Sequence, residues 1–328
     1  MTAEIEERLT AAGRRWRAVQ PAPPSVDSSR FPARTGVRGK RRGRWAPLAA
    51  AAAVAVLVTG VGVSRLVDRA PTPPLTDGPA AAYDPLALIG MWRLTGVEGE
   101  SGGVLRLSDW KLVLFRPCGT LSGSWRAATD GLFVGSVHLI SPECARPSPS
   151  DDWTPAWLRD VTAFRIDGKV PELLDADGEP AARLLPGGEP AALHLSPDET
   201  APPIVTDRAR TQALPAAPLP PYLVPASRDA LVGRWVADEQ DGHPTRPFVE
   251  LTADGRLQGS DGCNGSSGRW VAGPDGALLA TEGPTTLMAC SNQHLARWVS
   301  QARRAGLDGE ELVLLDANAV ELGRLHRG

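Results

Sequence analysis

At 328 residues the chain has room for two small folded domains once linkers are subtracted, and 42% hydrophobic residues are enough to fill their cores. A formal net charge of -3 conceals a basic head, since residues 1–44 hold 11 Arg and Lys against 4 Asp and Glu. Arg38, Lys40, Arg41, Arg42 and Arg44 end directly against an uncharged run, so they read as a membrane-topology signal and not as a nucleic-acid arm.

In chain order, Ile5, Leu9, Ala12, Trp16 and Val19 fall at helical spacing, with Glu4, Glu6 and Glu7 early and Arg14, Arg15 and Arg17 late. The pattern predicts a short amphipathic helix over residues 3–19, either docking a cytoplasmic partner or lying solvated or on a membrane surface. Pro21, Pro23, Pro24 and Pro32 then mark a flexible tether. The run Trp45–Val63 has no charge in 19 positions, and at about 1.5 Å per residue it reaches roughly across a 30 Å hydrocarbon core. A head of this length is too long for a cleaved signal peptide. The expectation is an uncleaved, single-pass signal anchor over 45–65 in the cytoplasmic membrane, N-terminus inside, with the chain after about residue 66 extracytoplasmic. A buried Ala-rich soluble helix is the alternative.

Two Pro-rich stretches, 66–83 and 199–228, read as stiff, extended spacers and bracket two blocks, 84–198 and 229–328. The blocks repeat each other. Gly90-Met91-Trp92-Arg93 answers Gly233-Arg234-Trp235; Cys118 and Cys263 each precede a tryptophan, Trp125 and Trp270, by the same interval. Trp157 before Gly168 answers Trp298 before Gly309, and Leu173-Leu174-Asp175-Ala176 answers Leu314-Leu315-Asp316-Ala317.

Within each block, short alternating or apolar runs such as Lys111–Phe115, 132–137, Phe248–Leu251 and Leu312–Leu315 predict strands. They are separated by Asp130-Gly131, Asp177-Gly178, Asp254-Gly255 and Asp275-Gly276, pairs that tolerate the positive φ of hairpin turns. One helix interrupts each set. The first has Thr154 as cap, Pro155 in the first turn and an apolar stripe of Trp157, Leu158, Val161 and Phe164; the second runs from Ser291 through Leu295, Trp298, Val299 and Ala302. The predicted fold is mostly β: two tandem small antiparallel domains, each a curved sheet or small barrel with one covering helix, behind one transmembrane helix.

One cysteine pair per repeat selects disulfides Cys118–Cys144 and Cys263–Cys290 from three connectivities. A metal site, a catalytic Cys290 with His294, and free buried thiols are the competing readings. The second block resembles the META domain of the heat-shock protein HslJ and related bacterial envelope proteins. The resemblance rests on Gly233-Arg234-Trp235, Gly259-Ser260-Asp261-Gly262-Cys263-Asn264-Gly265 with Gly268 and Trp270, Thr286-Leu287-Met288-Ala289-Cys290, and the strand from Glu311 to Asp316. In the first block Cys118-Gly119 and Pro142-Glu143-Cys144 replace the corresponding elements, so that block looks like a diverged second copy. The resemblance implies a small antiparallel β domain packed on one helix, an envelope or stress-related role, and no established catalysis.

No zinc-protease, phosphate-loop, nucleophile-elbow or EF-hand motif is present, and no catalytic, cofactor or metal residues are expected. Asp151-Asp152 and Glu310-Glu311 read as solvated surface, and His138, His194, His243, His294 and His326 as scattered. Trp110 and Trp153 lack counterparts in the other block and are the candidate exposed binding surface. The leading expectation is a non-enzymatic protein whose ectodomain binds an unidentified envelope component or protein partner. A transmembrane signalling regulator, whose head holds a partner such as a sigma factor, and a secreted-side hydrolase are the other two.

Overall fold

The computed structural model describes residues 82–145, 152–190, 197–237, 246–285 and 294–328. The predicted head helix, the 45–65 anchor, Cys290, Asp151 and Ser291 lie outside the described residues. Among the described residues no helix is long and apolar enough to cross a membrane.

Residues 90–186 form β1 (Gly90–Thr95), β2 (Val104–Leu107), β3 (Lys111–Arg116), β4 (Gly119–Ala127), β5 (Phe133–Ile140), β6 (Ala163–Asp167), β7 (Val170–Leu174) and β8 (Pro180–Pro186), with helix α1 (Ala156–Asp160) between β5 and β6. A connecting stretch holds α2 (Pro197–Thr200), α3 (Asp207–Gln212), β9 (Val224–Pro225) and α4 (Arg228–Leu231). The second set is β10 (Gly233–Val236), β11 (Phe248–Leu251), β12 (Arg256–Ser260), β13 (Gly265–Ala272), β14 (Leu278–Ala280), helix α5 (Leu295–Gln301), β15 (Arg304–Asp308), β16 (Glu311–Leu315) and β17 (Glu321–Arg327).

The first sheet runs β5-β4-β3-β2-β1-β8-β7-β6, and the second β14-β13-β12-β11-β10-β17-β16-β15 with β9 added at its edge. Among the described residues every strand pairing is antiparallel, for example Trp92 opposite Leu105 and Trp235 opposite Val249. Each sheet curls until its ends meet. Leu132 bridges Ala163 at the closure of the first and Ala277 bridges Arg304 at that of the second. Both are small barrels, and both are filled. Leu105, Leu114, Trp125, Phe133, Phe164 and Leu184 occupy the first interior, and Val249, Leu257, Trp270, Leu278, Leu312 and Leu325 the second.

Four tryptophans anchor the barrels by matched bonds. Trp92 Nε1 donates to Leu88 O and Trp235 Nε1 to Leu231 O, both at 2.8 Å, each carbonyl ending a short helical turn just before the first strand. Trp125 Nε1 donates to Ser108 O at 2.7 Å and Trp270 Nε1 to Thr252 O at 3.1 Å, across the β2–β3 and β11–β12 turns. The indole thereby buries its ring while satisfying its one polar atom.

Cys118 and Cys144 form a disulfide, Cα to Cα 5.1 Å, between the start of β4 and the turn after β5. Cys263 is also disulfide-bonded. The first bridge closes 26 residues, so the double variant Cys118→Ala/Cys144→Ala is expected to lose about 3–4 kcal/mol in denaturant unfolding. An unchanged unfolding midpoint would show that the loop is already constrained by the sheet.

Three expectations need correction. Helix α1 stops at Asp160, so Phe164 is a strand residue of β6 and not part of a helical stripe. Thr154 does not cap it: Pro155 is the N-cap, and the Thr154 hydroxyl accepts from Val137 N at 3.0 Å, tying the helix approach to β5. The Pro-rich segment before the second barrel is packed and not a free spacer. Leu219 and Leu223 cover Val313 and Leu315, and Gly306 has no room for a Cβ, which would lie 2.8 Å from that of Leu223.

Candidate functional site

The two barrels meet along β4–β5 and β13–β14, and the meeting is built from positions that correspond in the two blocks. Counting from the paired cysteines, Leu132 and Val134 correspond to Ala277 and Leu279, and these four form one apolar cluster with Val271. Ser136 corresponds to Thr281, and the Ser136 hydroxyl donates to Thr281 Oγ1 at 2.8 Å in a buried contact. Contacts of this reciprocal kind are those a two-fold axis generates. The axis here is approximate, because the sequences differ.

Two clefts flank this seam. In the smaller, about 310 Å³, Ser136 and His138 face Gln258 and Arg269. Arg269 is buried and fully engaged: Nη1 donates to Asp152 Oδ2 at 3.2 Å, and Nη2 to Arg159 O at 3.0 Å and Asp254 O at 2.8 Å. Asp152 is therefore an ion-pair partner across the seam and not solvated surface.

His138 is not isolated as its sequence position suggests. Its Nε2 lies 3.0 Å from both Ser124 Oγ and Ser136 Oγ. Ser136 is buried and gives its proton to Thr281, so Ser136 serves the seam, while Ser124 is half-buried and lines the larger cleft. Burial pushes the His138 pKa below the ordinary 6.5, with Asp152 opposing. Above that value the imidazole is neutral folded and unfolded alike. Below it the unfolded chain binds the proton first, so stability falls as pH drops. Melting temperature is expected to decline more steeply between pH 7 and 5 in the wild type than in His138→Gln, with parallel curves counting against a buried neutral imidazole.

The larger cleft, about 560 Å³, carries a different chemistry. Trp110, Arg126 and Arg208 come from the first barrel and the connection; Glu282, Arg297 and Arg303 come from the second. The guanidinium of Arg126 stacks 4.9 Å from the Trp110 ring centroid and that of Arg208 4.5 Å from it. Arg303 Nη1 is buried without a hydrogen-bond partner among the described residues. The Arg126 pKa is pushed down to about 9 by burial and then by Arg303, with Glu282 opposing. Burial also lowers that of Arg303, with Asp130 opposing.

Trp110 itself has φ 46, a left-handed conformation unusual for a bulky side chain. The position is held by Trp125 N donating to Trp110 O at 2.9 Å; in the second barrel Trp270 N makes the same 2.9 Å bond to Gly255 O, with Gly255 at φ 78. Tryptophan thus stands where the matching turn has glycine.

Of the two candidate surface tryptophans, neither is fully exposed. Trp110 is half-buried in the seam cleft, and Trp153 is half-buried beside the first disulfide in a separate open groove of about 1020 Å³. There Glu100 is buried and saturated by Arg116 and by Trp157 Nε1 at 2.9 Å. The structure does not bring Trp110 and Trp153 together. The glycine-rich turn at Cys263 is closed from within, Asp261 accepting from Cys263 N at 2.8 Å and from Asn264 Nδ2 at 3.0 Å. Among the described residues no three His, Cys, Asp or Glu side chains are placed to hold a metal.

Arg126 and Arg303 escaped the sequence reading, although aligning the blocks position by position sets Arg126 against Val271 and Arg303 against Thr162, a visible change of character. No curated protein and no solved structure matches the chain. Residues 229–327, which span the second barrel from α4 to the end of β17, match the family model of the META domain.

Proposed function

We propose that this is a membrane-anchored, extracytoplasmic binding protein in which residues 84–198 are a diverged META domain paired with the one at 229–327, and in which neither performs catalysis. The supporting observation is the cleft of about 560 Å³ between two filled barrels, where the half-buried Arg126 and Arg303 converge with no carboxylate of the described residues bonded to them. Ligand sites favour concave surfaces with a few convergent polar groups, and here the barrel interiors leave no room for one. The shared strand order and the matched tryptophan bonds support common descent of the two barrels. The disulfide at Cys118 and the basic head against the run Trp45–Val63 support export of everything after about residue 66.

A photo-crosslinking residue at Thr211, on the cleft rim, is expected to capture an envelope component in living cells, while the same residue at exposed Arg93 is not. Identical capture from both positions would sink the assignment of the cleft. Protease added to spheroplasts should remove the chain after about residue 70 and spare the head; full protection would overturn the topology. The signalling reading is favoured by the helical spacing of Ile5, Leu9, Ala12 and Trp16 alone. Deleting residues 2–30 abolishes function on that reading and preserves it on the binding one.

A further inference from the structure

We infer that the corner of the seam formed by Trp110, Arg126 and Arg303 is a binding site for a phosphate dianion carried by the ligand, a deepening that rests on the binding reading above. The approximate two-fold axis creates two corresponding corners, and comparing them isolates what was changed. At one, the positions are Gly255, Val271 and Thr162, none of them charged, and Arg269 nearby has its guanidinium bonded to a carboxylate and two carbonyls. At the other, the same three positions are Trp110, Arg126 and Arg303.

None of these three substitutions serves the fold. A left-handed tryptophan is strained where glycine is not. Two desolvated guanidinia side by side repel each other, and burying a charge is costly unless it is paired. Among the described residues Arg303 Nη1 has no hydrogen-bond partner, and Arg126 rests against the face of Trp110. Of the acids nearby, Glu282 accepts from Ser300 Oγ at 3.1 Å, Asp316 accepts from Asn318 N and Val320 N, and Asp109, in the adjoining pocket, accepts from Thr206 Oγ1 and keeps Oδ1 unbonded among the described residues. An anion arriving between the guanidinia would supply the missing counter-charge, and arginine forks suit the oxygens of a phosphate. A carboxylate neutralises one cation; a phosphate dianion neutralises both. Trp110 then acts as the plate that fixes Arg126 and Arg208.

The test is equilibrium binding to the full-length chain at pH 7.5 and constant ionic strength, with inorganic phosphate, glycerol 3-phosphate, diethyl phosphate and acetate as probes. Saturable binding is expected for inorganic phosphate or glycerol 3-phosphate, weakened at least tenfold by Arg126→Gln and by Arg303→Gln and unchanged by Arg93→Gln. Tighter binding of glycerol 3-phosphate supports an esterified phosphate, and equal binding supports the free ion. Each variant removes an unpaired desolvated cation, so its melting temperature without phosphate should match or exceed the wild type. A readout independent of variants is pH: a phosphate ester loses its second charge near pH 6, so glycerol 3-phosphate should bind more weakly at pH 5 than at 7.5. Acetate or diethyl phosphate binding as well as the dianions, no saturable binding at all, or indifference to both arginine variants would overturn the inference. Capture of an envelope component at Thr211 despite such a failure would leave the binding function standing with a different ligand.

Discussion

Gly268→Ala is expected to cost more than about 3 kcal/mol and to leave little folded protein, whereas Gly265→Ala on the same strand is expected to be nearly neutral. A Cβ at Gly268 would sit 2.1 Å from Thr281 O, and backbone atoms cannot swing aside as a side chain can. Thr281 is held from both sides, since its N donates to Arg269 O at 2.9 Å and its hydroxyl accepts from Ser136 of the other barrel. At Gly265 an added Cβ meets nothing within 4 Å. The corresponding glycine of the first barrel, Gly123, is under the same constraint, with Ser136 O 1.8 Å from its ideal Cβ. Denaturant unfolding of the two alanine variants decides the matter. Equal midpoints would mean that the strands part without cost and that the seam is loose.

Trp270→Ala should destabilise the second barrel by about 3–5 kcal/mol. The side chain is 1% exposed, fills the interior among Val249, Leu257 and Leu278, and leaves Thr252 O without its donor when removed. Trp110→Gly is the informative contrast: it is expected to cost under about 1 kcal/mol, because relief of the left-handed backbone offsets the lost stacking on Arg126 and Arg208. Thermal or chemical unfolding distinguishes a core tryptophan from one retained for another purpose. A Trp110 variant as damaged as Trp270→Ala would place it in the structural class.

The landmarks that were legible in the sequence are those fixed by local chemistry. Asp-Gly pairs announced their turns, and Gly131, Gly178 and Gly255 all have positive φ. Cysteine spacing gave the Cys118–Cys144 pairing, and the paired Gly-x-Trp openings gave Trp92 and Trp235 as core. What tertiary packing decides was hidden. Nothing local marks Ser136 and Thr281 as mutual partners, or aims Arg126 and Arg303 at one cleft, since each lies on a strand or strand approach whose outer face becomes an inner one only when the barrels dock. The proline-rich connection misled for a related reason: Leu219 and Leu223 lie among Pro218, Pro220 and Pro221, which rule out a regular apolar face, yet both find the outside of β16. Helix α1 is short because Val161 and Thr162 are drawn into barrel closure, Phe133 N donating to Thr162 O at 2.9 Å.

Near-symmetry of the seam has a genetic meaning as well as a mechanical one. When identical chains pair about a two-fold axis, every substitution appears twice, so an arginine placed at one corner is necessarily placed at the other, and both copies must tolerate it. Two barrels of different sequence in one polypeptide carry no such obligation. Here one corner keeps Val271 within an apolar cluster that glues the barrels together, while the other carries Arg126. One side of the junction is thus free to hold the protein together while the other is free to be selected for something else.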